Sequence, residues 1–357
     1  MQKKLRFLLF IILSFCMIQL NATHLVGGYM SYRYVGTNGT FTTYKVTLYV
    51  YRDCSNDLDP DRKIPFDPEI VVCAYRDNNQ IQTFFKVPLK SEKEVEPVGN
   101  TSCPELASAC LKQGVYEANI QLPNSSTGYK LKWERCCRNT QTNLKDDIGG
   151  DPYQGQTYYA YIPPSALKNS SPTFLDVPVP FICARDTTTV RNRAVDSDGD
   201  SLSYRFVTPW QGASINDPLP ENCPSTLPGF QNVDYVSGYN ASRPFGNNGI
   251  SSIDALNGLT TYLAQNAGRY AVAIEVTEWR NGIAISTIRL DLQILVINCK
   301  PNNKPRMSYQ GGTTTWYVEA GVTLCKDVTV TDDKDLTDKV YKAVSYTHLT
   351  LPTKRIV

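Results

Sequence analysis

The chain has 357 residues, with 36 Lys and Arg against 34 Asp and Glu, a formal charge of +2, and two histidines. That balance leaves no electrostatic footprint for nucleic acid, and so little histidine excludes most His-dependent catalysis and multi-histidine metal sites. With 22 each of Tyr, Pro and Gly, the chain is rich in strand and turn formers, and its length suits two or three domains.

Lys3, Lys4 and Arg6 precede an apolar run, Phe7 to Leu20, and the small Ala22 offers a cleavage point before Thr23. Charge, apolar run and small residue in that order form a secretory signal peptide over 1–22. The run is shorter than the ~20 residues a membrane-spanning helix needs. Cys16 falls inside it, after bulky Phe15, and belongs to the discarded peptide.

Beyond the peptide nearly every segment alternates with a period of two, which reads as half-buried strand. Gly28–Val35 and Phe41–Tyr51 are the first pair, joined across Asn38-Gly39, a strong short-hairpin signal. Further strands read at Glu69–Arg76, Ile81–Val87, Val115–Leu122, Gly128–Glu134 and Thr157–Ile162, separated by turn clusters such as Asp77–Asn79 and Pro123–Ser126. Pro104–Lys112 has room for one short helical turn. Pro163-Pro164 and Asn169–Pro172 mark a boundary. The next module ends in a clear hairpin: Arg269–Trp279, then Asn281-Gly282, then Ile283–Val296. Pro301–Pro305 is a second linker, and Tyr317–Thr323 and Val330–Leu336 faintly repeat Phe181–Thr188 and Val195–Leu202. The expected fold is all-β: tandem antiparallel β-sandwich domains of Ig-like type, disulfide-bonded, at 23–165 and 171–300, with a third, truncated β-domain starting at 305–343.

Val344–Thr353 resembles a translated sequencing-library adapter, so 344–357 is expected to be an artefact and the natural sequence to stop near Ala343. With peptide and tail set aside, Lys3, Lys4, Arg6, Lys354 and Arg355 leave the count and no acid does. That gives 31 basic and 34 acidic residues, a charge of −3. His348 leaves as well. Only His24 remains, near the new N-terminus, where a free amino terminus can bind copper.

Ten cysteines remain: Cys54, Cys73, Cys103, Cys110, Cys136, Cys137, Cys183, Cys223, Cys299 and Cys325. An even count in an exported chain points to disulfides, and no Cys-x-x-Cys pair supports a zinc ribbon. Cys103 and Cys110 bracket a short loop and can close it locally. Cys136 and Cys137 are expected to face opposite sides of a strand and to bond different partners rather than each other.

Asp196, Asp198 and Asp200 place carboxylates at i, i+2 and i+4 around Gly199. Calcium takes six to eight oxygens, and such a turn can aim several at one ion. A solvated acidic turn is the alternative. The glycine is fourth rather than sixth, and position twelve is Val207 rather than Glu, so this is not an EF-hand loop. No nucleophile elbow, P-loop, dinucleotide fingerprint or His-Glu zinc motif is present, and catalysis is not expected. A glycosidase carboxylate pair stays open. Trp210 reads as core packing before it reads as a glycan platform.

Thr23-His-Leu-Val-Gly-Gly-Tyr-Met-Ser-Tyr-Arg-Tyr34 and Val46–Cys54 resemble a family of large secreted proteins of gliding, environmental Bacteroidota, described as PKD-domain-containing or gliding-motility-associated surface proteins. The likeness continues through Cys136–Asn139, Pro178–Cys183, Val195–Tyr204 and Gly268–Tyr270, ending near Cys299. It implies PKD-like tandem sandwiches at the bacterial cell surface, exported through a C-terminal sorting domain missing from this sequence, and no catalytic residues. The expectation is therefore a secreted, non-catalytic scaffold or adhesin with a surface glycan or protein partner, no nucleic acid, and calcium as the one candidate cofactor. The rival is the accessory β-part of an extracellular polysaccharide- or protein-degrading enzyme.

Overall fold

The computed structural model describes residues 25–54, 65–95, 110–145, 154–175 and 181–299, together with strands Arg306–Tyr309 and Val328–Thr331. The first part holds β1 (Leu25–Asn38), β2 (Phe41–Asp53), β3 (Glu69–Arg76), β4 (Ile81–Val95), β5 (Leu111–Pro123), β6 (Tyr129–Arg135) and β7 (Gln156–Ile162). The second holds β8 (Thr173–Phe174), β9 (Phe181–Cys183), β10 (Thr188–Arg191), β11 (Ala194–Val195), β12 (Ser201–Val207), β13 (Ile250–Ile253), β14 (Leu259–Leu263), β15 (Gly268–Arg280) and β16 (Ile283–Ile297). The fold is all-β as expected, and among the described residues one 3-10 turn forms at Ser165–Leu167. Among the described residues no helix is long and apolar enough to cross a membrane.

Hydrogen bonding follows the order β1-β2-β5-β4-β3-β6-β7-β16-β15-β12, and β1 also pairs with β16, so the first eight strands close into a ring. The pairings are antiparallel except for β9, which runs parallel to β16. Period-two alternation supplies the interior: Tyr44, Val46, Leu48 and Val50 of β2 and Ile70, Val72 and Ala74 of β3 pack with Tyr116, Trp133 and Tyr158 in one apolar core. Closure depends on Gly27, at φ +146°, where an added Cβ would lie 2.0 Å from the Asp291 carbonyl oxygen. A side chain there would hold β1 off β16.

Beyond the ring, β12, β15 and β16 are faced by the sheet β10-β14-β13. Val190, Tyr262, Tyr270, Val272 and Ile294 form one core between them, and Tyr29, Phe174, Ile274, Val276, Ile288 and Leu290 form another. The segments 23–165 and 171–300, expected as separate sandwiches, thus share one sheet, and the described residues through 298 form one compact unit. Asn169, Ser170 and Ser171, read from the sequence as linker, are 1–4% exposed. Ser171 Oγ accepts the Tyr32 N–H at 2.8 Å and Ser170 Oγ accepts the Tyr34 N–H at 3.3 Å, which staples the segment to β1.

In the second unit β17 (Arg306–Tyr309) pairs antiparallel with β18 (Val328–Thr331). His24, most of the expected 104–112 turn, Cys103, Cys325, the acids at 332, 333 and 335 and the adapter-like tail lie outside the described residues. Leu111 and Lys112 open β5 instead of ending a helical turn.

Cys54 bonds Cys110 and Cys73 bonds Cys223, across sequence separations of 56 and 150 residues, and Cys183 and Cys299 are also disulfide-bonded. Two expectations are corrected. Cys110 reaches back to the end of β2 rather than closing a loop with Cys103. Cys136 and Cys137 bond each other. They follow the last residue of β6, so the strand alternation that would aim them apart no longer applies.

Candidate metal centre

The turn between β11 and β12 is built by Asp196. Its Oδ1 accepts the backbone N–H groups of Asp198 and Asp200, each at 2.9 Å, which curls the chain around its own side chain. Gly199 adopts φ +85° in that curl, a conformation glycine reaches without steric cost. With Oδ1 committed, Asp196 Oδ2 is left buried with no hydrogen-bond partner.

Glu278 arrives from β15. Ile274, Val276 and Glu278 occupy alternate positions of one strand face and each is 0% exposed. Leu202 pairs with Glu278 and Ser201 with Trp279, so the end of the acidic turn meets the end of β15. Glu278 Oε2 accepts from Asn169 Nδ2 at 3.0 Å, while Oε1 is buried without a donor. One ligand oxygen from each of Asp196, Asp198, Asp200 and Glu278 lies within 4.8 Å of the others. Oxygens on opposite sides of a calcium ion stand about 4.8 Å apart, twice a Ca–O distance of about 2.4 Å.

Arg280, one strand repeat beyond Glu278, is the counter-charge. Its Nε donates to Asp200 Oδ1 at 2.8 Å and its Nη2 to Oδ2 at 2.5 Å, while Nη1 and Nη2 also reach Leu167 O and Asn169 Oδ1. Asp198 Oδ2 accepts the Ser170 N–H at 2.6 Å and lies 3.8 Å from Arg280 Nη2. The hydrogen bonds from Arg280 hold the Asp200 carboxyl below the usual range. Burial, then the charges of Asp198 and Asp200, raise Asp196 against the pull of its two backbone N–H groups. Burial pushes Glu278 up to about 9 against the pull of the Asn169 N–H, reinforced by the charge of Asp196 and by a hydrogen bond that the protonated carboxyl shares with the charged Asp200.

Four carboxylates therefore face one guanidinium, and two buried oxygens lack a donor. Buried acceptors of this kind take a proton or a cation, because leaving them bare costs the full desolvation penalty. The oxygen-only donor set suits a hard divalent ion such as calcium. The sequence identified the three aspartates and missed Glu278, Arg280 and Asn169. An acid that follows Val272, Ile274 and Val276 on one strand face, three residues before Asn281 of an Asn-Gly turn, is the signal that finds Glu278. Nothing local marks Asn169. No family model, curated protein or solved structure matches the chain.

Proposed function

We propose that this chain is a non-catalytic extracellular scaffold, adhesin-like, in which a divalent cation, calcium by its ligand chemistry, ties the acidic turn to the end of β15. The observation that carries the reading is the pair of buried, donorless oxygens, Asp196 Oδ2 and Glu278 Oε1, within one carboxylate quartet. Disulfides at Cys54–Cys110 and Cys73–Cys223 support an oxidising compartment. The motif resemblance to gliding-associated surface proteins supports a place at the bacterial cell surface, with a glycan or a protein as partner. A cation here acts as a staple between β15, the acidic turn and the Asn169–Ser170 segment, and stiffens the loops that the β-framework presents.

The test is thermal melting of wild type and Glu278→Gln, each in 10 mM calcium and in chelator. An affinity of about 10⁻⁴–10⁻³ M, usual for extracellular modules, raises wild-type stability by about 1.4–2.7 kcal/mol at that concentration. The variant is expected to melt alike in both conditions. Superimposable wild-type curves would remove the cation from the reading.

A further inference from the structure

We infer that the cleft between β6, β7 and the 211–213 and 228–231 segments binds one ring of a neutral sugar. This rests on the scaffold reading and gives its partner a chemical class. The cleft has a volume of about 170 Å³. Pockets for drug-sized ligands run to ~300–1,000 Å³, so this one admits a single small polar ring.

Its aromatic wall is Phe230, with Lys132 Nζ over the ring at 5.7 Å from its centroid, so a sugar ring meets the wall beside that ammonium group. Trp210 stacks on that ring with centroids 4.1 Å apart and 15° between planes, and Tyr159 meets both rings nearly at right angles. Arg289 lies 3.4 Å from the Trp210 ring centroid, so the stack is braced from behind. Wall and rim are held in place by the main chain: Gln211 N–H donates to Gln231 O at 2.8 Å, and Gln211 Nε2 to Asn232 O at 3.0 Å. The Cys73–Cys223 disulfide and the Leu227 N–H to Asn79 O bond, 2.7 Å, anchor the same segment to the β3–β4 hairpin. A rigid aromatic face is what the C–H face of a pyranose needs, because a wall already ordered adds no ordering cost on binding.

The polar side selects against charge. Lys132 Nζ and Glu134 Oε1 are 2.6 Å apart, with the Lys132 side chain 6% exposed, and both line the cleft. The pair is balanced, so a charged ligand would have to break it in a partly dry site. A hydroxyl instead donates to Glu134 and accepts from Lys132 at once. Gln231 adds an amide at the rim, and Gly229, with open space where a Cβ would stand, keeps the entrance low.

The experiment is isothermal titration calorimetry of the full chain with glucose, galactose, mannose and N-acetylglucosamine and their short neutral oligomers. Phe230→Ala and Gln231→Ala are run beside wild type, with melting curves to establish folding. Saturable binding of at least one neutral sugar, weakened about tenfold or more in Phe230→Ala and less in Gln231→Ala, is expected. Glu278→Gln should leave it unchanged. Should Phe230→Ala fail to fold, loss of affinity in folded Gln231→Ala carries the same conclusion. Absence of binding to every neutral sugar, or binding untouched by either folded variant, overturns the cleft and leaves the scaffold standing. Hydrolysis of a bound oligomer would instead overturn the non-catalytic scaffold.

Discussion

Arg138 and Arg280 each hold an aspartate with two N–H groups, but they sit in opposite charge balances. Arg138, 2% exposed, gives Nη1 and Nη2 to Asp291 at 2.7 and 2.5 Å, Nε to Gly155 O and Nη2 to Trp210 O. One cation meets one anion, and backbone carbonyls take up two further donors. Around Arg280 the same chemistry is left unbalanced, with Asp196, Asp198 and Glu278 crowding beside Asp200. A buried pair closed within the protein has a structural role and needs nothing from outside. A cluster with surplus acid around one fully buried carboxyl, Glu278, is finished at that carboxyl by a proton or a cation, and which of the two it takes depends on the solution.

The largest expected effect breaks the balanced pair. Asp291→Asn leaves the Arg138 charge buried without its counter-ion, which costs on the order of 3–5 kcal/mol. Urea unfolding should show a clear fall in midpoint, and a loss below about 1 kcal/mol would mean the pair is solvated and the contrast false.

The second sharpens the unbalanced side. Because the folded-state value of Glu278, about 9, lies above the ordinary 4.5, the native state holds a proton that the unfolded chain has released. The contribution is fully present below about 4.5 and is lost as pH rises through 9. In chelator, stability should therefore fall between pH 6 and pH 8, by on the order of 1–3 kcal/mol. Calcium should remove most of that slope. Glu278→Gln should remove it in either condition, since the amide does not titrate. A wild-type slope that survives in the variant would assign it to other groups.

The smallest effect is a control on the surface. Lys45 and Glu117 lie 2.7 Å apart with side chains 32% and 27% exposed. Glu117→Gln should cost about 0–1 kcal/mol, and a larger loss would show that partial exposure does not soften ion pairs here.

Much of the strand pattern was legible because it rests on local alternation. Glu69–Arg76 is β3 to the residue, and Asn281-Gly282 forms the expected two-residue turn, at φ +53° and +78°, between paired Arg280 and Ile283. Asn38-Gly39 is displaced by one, since Asn38 still pairs with Phe41 and the turn falls on Gly39 and Thr40. Ring closure was not legible. It rests on a short contact of Gly27 and Gly28 with Leu292 and Asp291, more than 260 residues away, and no pattern within β1 announces it. The stretch from Thr208 to Gly249 has no regular strand and is held by isolated bridges such as Trp210 with Asn232, so periodicity had nothing to read there. In the acidic site the turn was visible because its three aspartates are neighbours. Glu278 and Asn169 enter it only through the third dimension.

From Leu25 to Tyr32 every residue of β1 is buried, on both faces. Met30 and Tyr32 belong to the core of the ring, while Tyr29 stacks on Tyr49 and meets Phe174 in the core beyond it. This strand is a party wall. Stripping either side of it exposes apolar surface on the other, so the two cores share one unfolding equilibrium rather than having one each. Amide protons on opposite sides of β1 should then open to solvent together, and an early break in the ring would reach the acidic turn without any route of signalling residues between them.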